Sequence, residues 1–348
     1  MNKKHTESIW FDSEWKPPKM QFGAGLIPTV TDTKRKFIIV TAKDVWSLVK
    51  EKVTSSPLKV IFVSDANKAT LERLERQTPK CELVCGVGGG VAMDGAKYLA
   101  LKRQASLIQV PTIISNDAWI SDPIGLREDH KIKYMGHVFP EKIVIDFDII
   151  RKAPKRLNRY GACDILSVHT ALFDWELATN RNQESRPAYN VKMGKKAKCL
   201  LSSLSGRKYE IYNVTEIGIR TLVDLYIRSI RLGQKLGSYR PQEGSEHFFA
   251  YNAEYVTKRQ YMHGALLGLG IFVMSYLQNN NFEEVVSLME DIGLEYQPIH
   301  FGFTRDDLGE TLTSLREFCR QENLPYTIID EAEINSEVID RISQMLYD

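Results

Sequence analysis

The stretch that decides the fold is Gly86-Val87-Gly88-Gly89-Gly90-Val91-Ala92-Met93-Asp94-Gly95-Ala96-Lys97, which follows the apolar run Leu83-Val84-Cys85. Consecutive glycines cost backbone entropy, so they are typical of places where the backbone must approach a ligand closely. A strand, a glycine turn and a helix N-terminus place free N–H groups and a positive dipole end beside an anion. The pattern predicts a site for a nucleotide pyrophosphate, with Asp94 and Lys97 on the first turns of the helix. A tight structural turn without a ligand is the alternative.

Alternating strand-like and helical patterns surround this turn in the first half of the chain. Strands that alternate with helices predict a parallel sheet in a doubly wound α/β domain, which we assign to residues 1–154. Such sheets bind ligands at the carboxyl ends of their strands, so the glycine turn and the loop Pro111–Ser121 are expected to flank one crevice. The predicted strands are Phe37–Thr41, Val60–Val63, Leu83–Val87, Leu107–Val110 and Ile143–Asp146, and the predicted helices are Asp44–Lys52 and Lys68–Arg76.

The pattern becomes helical after residue 154. Apolar residues at three- and four-residue spacing predict helices over Leu166–Thr179 and Glu216–Leu236. No β-rich run of comparable length follows. We therefore predict a second, all-α domain over residues 155–348.

Composition excludes several classes of protein. A chain of 348 residues is long for one core and suggests two domains. Its net charge of +2 provides no broad basic field for nucleic acid. The apolar run Gly264–Leu277 is too short and too rich in glycine to span a bilayer.

The N-terminus and the cysteines indicate the cellular compartment of the protein. Met1–Glu7 is polar, so we expect no secretory signal segment there. The five cysteines are odd in number and show no disulfide framework, so we expect reduced thiols and a cytoplasmic protein.

Three residues of the helical half offer a second kind of chemistry. Asp164 lies in Tyr160-Gly161-Ala162-Cys163-Asp164, His247 in Glu243-Gly244-Ser245-Glu246-His247, and His263 in Tyr261-Met262-His263-Gly264. One carboxylate and two imidazoles suit zinc or ferrous iron and leave a coordination position for a substrate oxygen. Residues this far apart in a sequence are usually unrelated, so ordinary core or surface positions remain the alternative.

Five segments in register, from about Gly23 to Gly270, resemble the metal-dependent, iron-type alcohol dehydrogenase superfamily. Within it, the chain looks most like the sn-glycerol-1-phosphate dehydrogenases, with glycerol dehydrogenase as a cousin. The pair Asp174-Trp175 ends the stretch that begins around Asp164, and it is closer to the glycerol-1-phosphate branch than to glycerol dehydrogenase. The segments are Gly88–Lys97, Pro111–Ala118, Gly161–Asp164 with Thr170–Trp175, Gly244–His247, and His263-Gly264.

The resemblance implies a Rossmann-like dinucleotide-binding domain, an all-α metal- and substrate-binding domain, and a homo-oligomer. It implies an NAD(P)-dependent enzyme that interconverts a small phosphorylated or unphosphorylated polyol and its ketone, with dihydroxyacetone phosphate and sn-glycerol 1-phosphate favoured. Asp164, His247 and His263 would hold a divalent metal, zinc before iron. The implied cofactor contacts are Gly88, Gly89, Gly90, Asp94, Thr112 on the adenine side, and Ser115 and Asp117 on the nicotinamide side.

Three departures from the family pattern affect the substrate more than the fold. Ala265 stands where the family usually has Glu, Cys163 replaces a common glycine, and Asn116 stands where the branch often has His. A dehydroquinate-synthase-type cyclase, a glycerol-dehydrogenase-like enzyme and a non-catalytic relative remain alternatives. Lys258 and Arg259 are candidates for binding a substrate phosphate, with a solvated helix face as the alternative.

The residues after the first predicted strand bear on the choice of cofactor. Thr41-Ala42-Lys43 carries no carboxylate that would bind a ribose 2′-hydroxyl and exclude a 2′-phosphate. We therefore expect NADP(H) to be accepted beside NAD(H).

Overall fold

The structure is a computed structural model that describes residues 17–183 and 187–348. The prediction for Met1–Glu7 lies outside the described residues. The chain divides into two compact units. The first unit runs up to Asn158 and includes the later segment Val214–Ile219. The second unit contains Arg159–Asn213 and Arg220–Asp348.

The first unit contains the described strands and the helices that follow them. Its strands are β1 (Lys19–Gly23), β2 (Phe37–Thr41), β3 (Lys59–Phe62), β4 (Leu83–Gly88), β5 (Ser106–Pro111), β6 (Pro123–Glu128), β7 (Lys131–His137) and β8 (Lys142–Asp146). Its helices are α1 (Pro28–Thr31), α2 (Lys43–Val49), α3 (Lys68–Arg76), α4 (Gly90–Arg103), α5 (Phe147–Lys152) and α6 (Lys155–Arg159), the last of which ends at the start of the other unit.

Six strands form a parallel sheet in the order β1-β8-β5-β4-β2-β3. Strands β2 and β4 are buried along their whole length, as expected for central parallel strands that are covered on both faces. The chain runs outward from β2 to β3 and in the opposite direction from β4 to β5. The carboxyl ends of β2 and β4 therefore form a topological switch point, the usual place for a ligand crevice. The α/β prediction is confirmed.

The sequence patterns did not reveal β1 or the antiparallel hairpin of β6 and β7. Strand β1 pairs only with β8 at the sheet edge among the described residues, and it lacks a long apolar run. Strand β7 is largely polar and half-exposed, so neither burial nor alternation marks it clearly. The helix predicted over Asp44–Lys52 is α2 followed by a 3₁₀ turn at Lys50–Lys52.

The described part of the second unit is built from helices and short turns, which confirms the helical prediction. The helices are α7 (Cys163–Leu166), α8 (Val168–Asn180), α9 (Val191–Ser205), α10 (Lys208–Tyr212), α11 (Glu216–Leu236), α12 (Ser245–Thr257), α13 (His263–Gln278), α14 (Phe282–Ile292), α15 (Arg305–Gln321), α16 (Ile328–Glu331) and α17 (Ser336–Tyr347). Helix α11 begins at Glu216, as its periodicity predicts, and its first four residues belong to the first unit. The helix predicted over Leu166–Thr179 is divided into α7 and α8 at Ser167.

Helix α13 explains the longest apolar run of the chain. Every residue from Gly264 to Ser275 is buried, so its apolar side chains pack on all sides against neighbouring helices. No helix among the described residues is both long enough and apolar enough to cross a bilayer. All five cysteines are free, as their spacing predicts.

Candidate metal centre and cofactor turn

The structure brings Asp164, His247 and His263 together. Each offers one ligand atom, and these atoms all lie within 4.8 Å of one another. His263 Nε2 lies 3.0 Å from Asp164 Oδ1, and the two imidazole centroids are 5.6 Å apart. These separations allow the three side chains to share one ion, and a carboxylate with two imidazoles suits zinc or iron. The geometry therefore fits the predicted ligand set, while ligation itself stays a prediction.

Local structure explains how His263 reaches Asp164. His263 is the first residue of α13, and Asp164 follows the 3₁₀ turn Tyr160–Ala162. A Cβ atom on Gly264 would lie 2.4 Å from Tyr160 Cβ and 2.7 Å from its carbonyl oxygen. Because Gly264 has no side chain, the start of α13 can lie directly against the turn that carries Asp164.

Two residues around the cluster were missed by the sequence interpretation. The Tyr226 hydroxyl lies 3.0 Å from Asp164 Oδ2 and 2.9 Å from the Gly161 carbonyl oxygen, so it holds the carboxylate in place. Glu246 Oε1 lies 2.8 Å from His247 Nδ1. The position of Glu246 next to a candidate ligand could have indicated its role. Tyr226 is distant in sequence from Asp164, so no sequence pattern indicated its contact.

The charges around His247 favour a cation. Burial by itself lowers the pKa of His247, but its hydrogen bond to Glu246 and the charges of Glu246, Glu243 and Asp164 raise the pKa to about 9. The surrounding carboxylates thus favour positive charge at this position. Cys163 is unsuited to join as a thiolate, because complete burial raises its pKa well above the usual value.

Two residues close in sequence to the candidate ligands make other contacts. The His169 Nε2 atom lies 2.7 Å from the Asn280 carbonyl oxygen, and burial lowers the pKa of this imidazole. The structure does not include His169 in the cluster. Ala265, which replaces the common family glutamate, is completely buried in α13 and acts here as a packing residue.

The glycine turn forms a cradle at the start of α4. Gly89 is the N-cap residue, so no side chain caps the N–H groups of the first turn. A Cβ atom on Gly89 would lie 3.0 Å from Ile113 Cδ1, and one on Gly90 would lie 2.6 Å from Asn116 Nδ2. Side chains there would fill the space beside the helix N-terminus. A narrow, side-chain-free helix N-terminus fits a dinucleotide pyrophosphate.

The second predicted cofactor loop lies beside this cradle. Pro111 pairs with Gly88 across the sheet, and the Thr112 N–H donates to the Gly88 carbonyl oxygen at 2.9 Å. Ser115 is buried, and Asp117 accepts the N–H groups of two following residues through its backbone carbonyl. The two loops are therefore adjacent, as predicted. The individual roles of Thr112, Ser115 and Asp117 stay predictions.

Asp94 and Lys97 make structural contacts within the same unit. Lys97 is only 1% exposed, and its Nζ lies 2.8 Å from Asp94 Oδ1 while it also donates to the Ser121 and Pro123 carbonyl oxygens. Asp94 accepts the Gly125 N–H at 3.2 Å. These bonds tie α4 to the start of the hairpin. Cofactor binding by Asp94 stays a prediction.

The phosphate candidates differ from each other. Arg259 forms an ion pair with Asp307, donates to the Gly302 carbonyl oxygen and lies over the Tyr261 ring. Its guanidinium is thus used in holding the unit together. Lys258 is an exposed C-cap residue in the left-handed conformation at the end of α12. Neither position supports a dedicated phosphate site.

Comparisons with known proteins agree with this architecture. A family model described as iron-containing alcohol dehydrogenase matches residues 26–154. The chain is 31% identical to a glycerol-1-phosphate dehydrogenase [NAD(P)+] of Aeropyrum pernix over 81% of this chain and 79% of that protein. It is 30% identical to the enzyme of the same name from Hyperthermus butylicus, over 94% of this chain and 97% of that protein.

Among solved structures, glycerol dehydrogenase from Schizosaccharomyces pombe has the same fold, with a TM-score of 0.69 and 22% identity over 97% of this chain and 91% of that one. A shared fold at this identity says nothing by itself about substrate. The broad relationship to the Aeropyrum pernix and Hyperthermus butylicus enzymes carries the assignment. The chain therefore belongs to the iron-containing alcohol dehydrogenase superfamily, in which it is similar to the glycerol-1-phosphate dehydrogenases.

Proposed function

We propose that this protein is an NAD(P)-dependent, metal-dependent oxidoreductase that interconverts dihydroxyacetone phosphate and sn-glycerol 1-phosphate. The observation that carries the proposal is the cluster of Asp164, His247 and His263. It occurs in a chain that aligns with two enzymes named glycerol-1-phosphate dehydrogenase over most of its length.

The second unit would hold the metal ion. Asp164, His247 and His263 would hold the ion, with Tyr226 and Glu246 fixing two of these ligands. When bound, a divalent ion polarises the substrate oxygen as a Lewis acid, and the nicotinamide supplies or accepts the hydride. These residues fit a divalent ion because their donor atoms lie close together and because the carboxylates of Glu246, Glu243 and Asp164 favour positive charge at His247.

The first unit would hold the cofactor. The N–H groups of the α4 first turn would bind the pyrophosphate, because no side chain caps them and Gly89 and Gly90 are partly exposed. We propose that Ser115 and Asp117 orient the nicotinamide end and that Thr112 lies on the adenine side. Asp94, whose described contacts brace α4, is proposed to act on the cofactor by holding that helix in place.

A substrate panel with NADH and NADPH, with and without zinc, tests the proposal. We expect reduction of dihydroxyacetone phosphate that depends on added metal. Activity only on unphosphorylated polyols would instead indicate a glycerol-dehydrogenase-like enzyme. Phosphate release from a seven-carbon sugar phosphate without net cofactor oxidation would establish the cyclase alternative. Purification without metal and failure to bind one would indicate a non-catalytic relative.

Lys43 is the proposed determinant of NADP(H) use. It is the exposed first residue of α2, and it follows β2 at the edge where Thr41 lies opposite Val87 of β4. Lys43 thus follows β2 at the edge of the sheet that carries the glycine turn, and the first carboxylate after β2 is Asp44, one residue beyond it. We expect Lys43→Asp to lower the NADPH/NADH ratio of kcat/KM by about 10-fold or more, or ~1.4 kcal/mol, because a 2′-phosphate would meet negative charge.

The control for this experiment is Lys68→Asp, at the start of the neighbouring helix α3, where the cation is paired with Glu128. This change should leave the cofactor ratio as it is in the wild type. Strict NADH use by the wild-type protein, or an unchanged ratio in Lys43→Asp, would show that Lys43 does not recognise the 2′-phosphate.

We also propose a cytoplasmic homo-oligomer. The five free cysteines support a reducing compartment. Tyr209 and Ile299 are 74% and 78% exposed, and an interface between copies would bury such side chains. Light scattering coupled to size-exclusion chromatography measures the mass directly, and a monomer of 39.8 kDa at assay concentration would contradict the proposed assembly.

A further inference from the structure

Glu246 is a buried carboxylate next to a proposed metal ligand. It is completely buried, yet three donors surround it. Its Oε1 accepts the Gly244 N–H and lies 2.8 Å from His247 Nδ1, and its Oε2 accepts the Thr170 hydroxyl at 2.6 Å. A buried carboxylate is costly unless donors surround it, and these three donors hold the Glu246 side chain in one fixed orientation.

The contact between Glu246 and His247 is unusual for neighbours in a helix. Consecutive side chains on an α-helix diverge around its axis and do not normally face each other. Here the two residues lie in the first turn of α12, where Glu246 turns back toward Gly244 ahead of the helix. The same carboxylate oxygen therefore reaches both the loop before the helix and the imidazole.

A second buried carboxylate, Asp174, belongs to the same polar network without bonding to Glu246. Asp174 Oδ2 accepts the Ser245 N–H at 2.8 Å, which fixes the start of α12 against α8. Gln278 of α13 donates to the Thr170 carbonyl oxygen and to Asp174 Oδ1, each at 3.1 Å. Three helices thus meet in a polar network, and Glu246 is its member that contacts His247.

This geometry determines which imidazole nitrogen is available. Nδ1 must carry a proton to donate to Glu246, so in the neutral ring the lone pair lies on Nε2. A carboxylate bonded to the second nitrogen of a metal-binding histidine orients the ring and increases its basicity. We propose that Glu246 is the positioning residue of the metal centre, holding His247 so that Nε2 faces the ion. This inference rests on the proposed function.

Cobalt binding by the full-length protein tests the inference without relying on turnover. Metal is removed with a chelator, and Co²⁺ is titrated in competition with a chromogenic chelator while the visible spectrum of the bound ion is recorded. Glu246→Gln keeps the size of the side chain but removes its charge. We expect Co²⁺ to bind about 10- to 100-fold more weakly, with an altered spectrum because the imidazole is no longer held.

Asp174→Asn is the matched control. It alters a buried carboxylate of the same network that makes no bond to His247, and the amide oxygen of asparagine can still accept the Ser245 N–H that fixes the start of α12. It should lower the unfolding temperature while leaving the Co²⁺ affinity and spectrum as in the wild type. Equal weakening in both variants would overturn the positioning role, because loss of the network in general would then explain the effect.

Two further outcomes separate this inference from the proposed function. Wild-type affinity and spectrum in Glu246→Gln would overturn the role of Glu246 alone. Failure of the wild-type protein to bind Co²⁺ or Zn²⁺ would overturn the metal centre and the proposed function together. If Glu246→Gln does not fold, Thr170→Val removes the hydroxyl that holds the other carboxylate oxygen. Weaker Co²⁺ binding by that variant supports the inference, and unchanged binding overturns it.

Discussion

Replacing either His247 or His263 with alanine is expected to lower kcat/KM by about 1000-fold or more, equivalent to ~4 kcal/mol of transition-state stabilisation. Each change removes one of three side chains whose ligand atoms lie within 4.8 Å of one another. Two remaining protein ligands would hold the ion weakly, so the purified variants should contain little zinc or iron. Metal analysis and steady-state kinetics with dihydroxyacetone phosphate measure both effects.

His169→Ala is the matched control for these two variants. It also removes a partly buried imidazole from the helical unit, but one that bonds to the Asn280 carbonyl oxygen and lies outside the cluster. This variant should lose some stability and retain its metal. Full turnover of His247→Ala or His263→Ala in the presence of a chelator would rule out the metal hypothesis.

Replacing Gly89 with valine is expected to weaken NAD(H) and NADP(H) binding by about 100-fold or more, or roughly 2.7 kcal/mol. A Cβ atom there would lie 3.0 Å from Ile113 Cδ1, so the branched side chain would crowd the space beside the first turn of α4. That is the space proposed for the pyrophosphate. Quenching of protein fluorescence during cofactor titration measures the dissociation constant.

Gly309→Ala controls for a general effect of replacing glycine. Its added Cβ meets no atom within 4 Å, so cofactor binding should remain that of the wild type. Thermal unfolding without cofactor shows whether Gly89→Val is still folded. A folded Gly89→Val protein with unchanged cofactor affinity would mean that the turn is only structural.

The α/β unit was predictable because its signals are local. Apolar runs such as Phe37–Thr41 and Leu83–Val87 mark strands that are buried on both faces, and the glycine turn marks the junction of β4 and α4. The edge strand β1 and the half-exposed hairpin carried no such signal. Their positions depend on pairing with distant segments, which short-range periodicity does not report.

The metal centre could not be predicted from local sequence patterns alone. Residue types and the family resemblance selected Asp164, His247 and His263, although spacing along the chain could not distinguish them from unrelated residues. Their meeting depends on α7, α12 and α13 packing together, with Gly264 allowing α13 to contact the Tyr160 turn. The structure supplies that proximity.

The sequence by itself determined the parallel α/β class, the helical second half, the glycine turn and the identity of the candidate ligands. Only the tertiary structure decided that Glu246 bonds to His247, that Tyr226 holds Asp164, and that Arg259 is used in an ion pair. The physical reason is the distance along the chain over which each kind of interaction acts. Propensity and apolar periodicity act over a few residues, whereas a Tyr226 hydroxyl reaches a carboxylate 62 positions away only after the helices have packed.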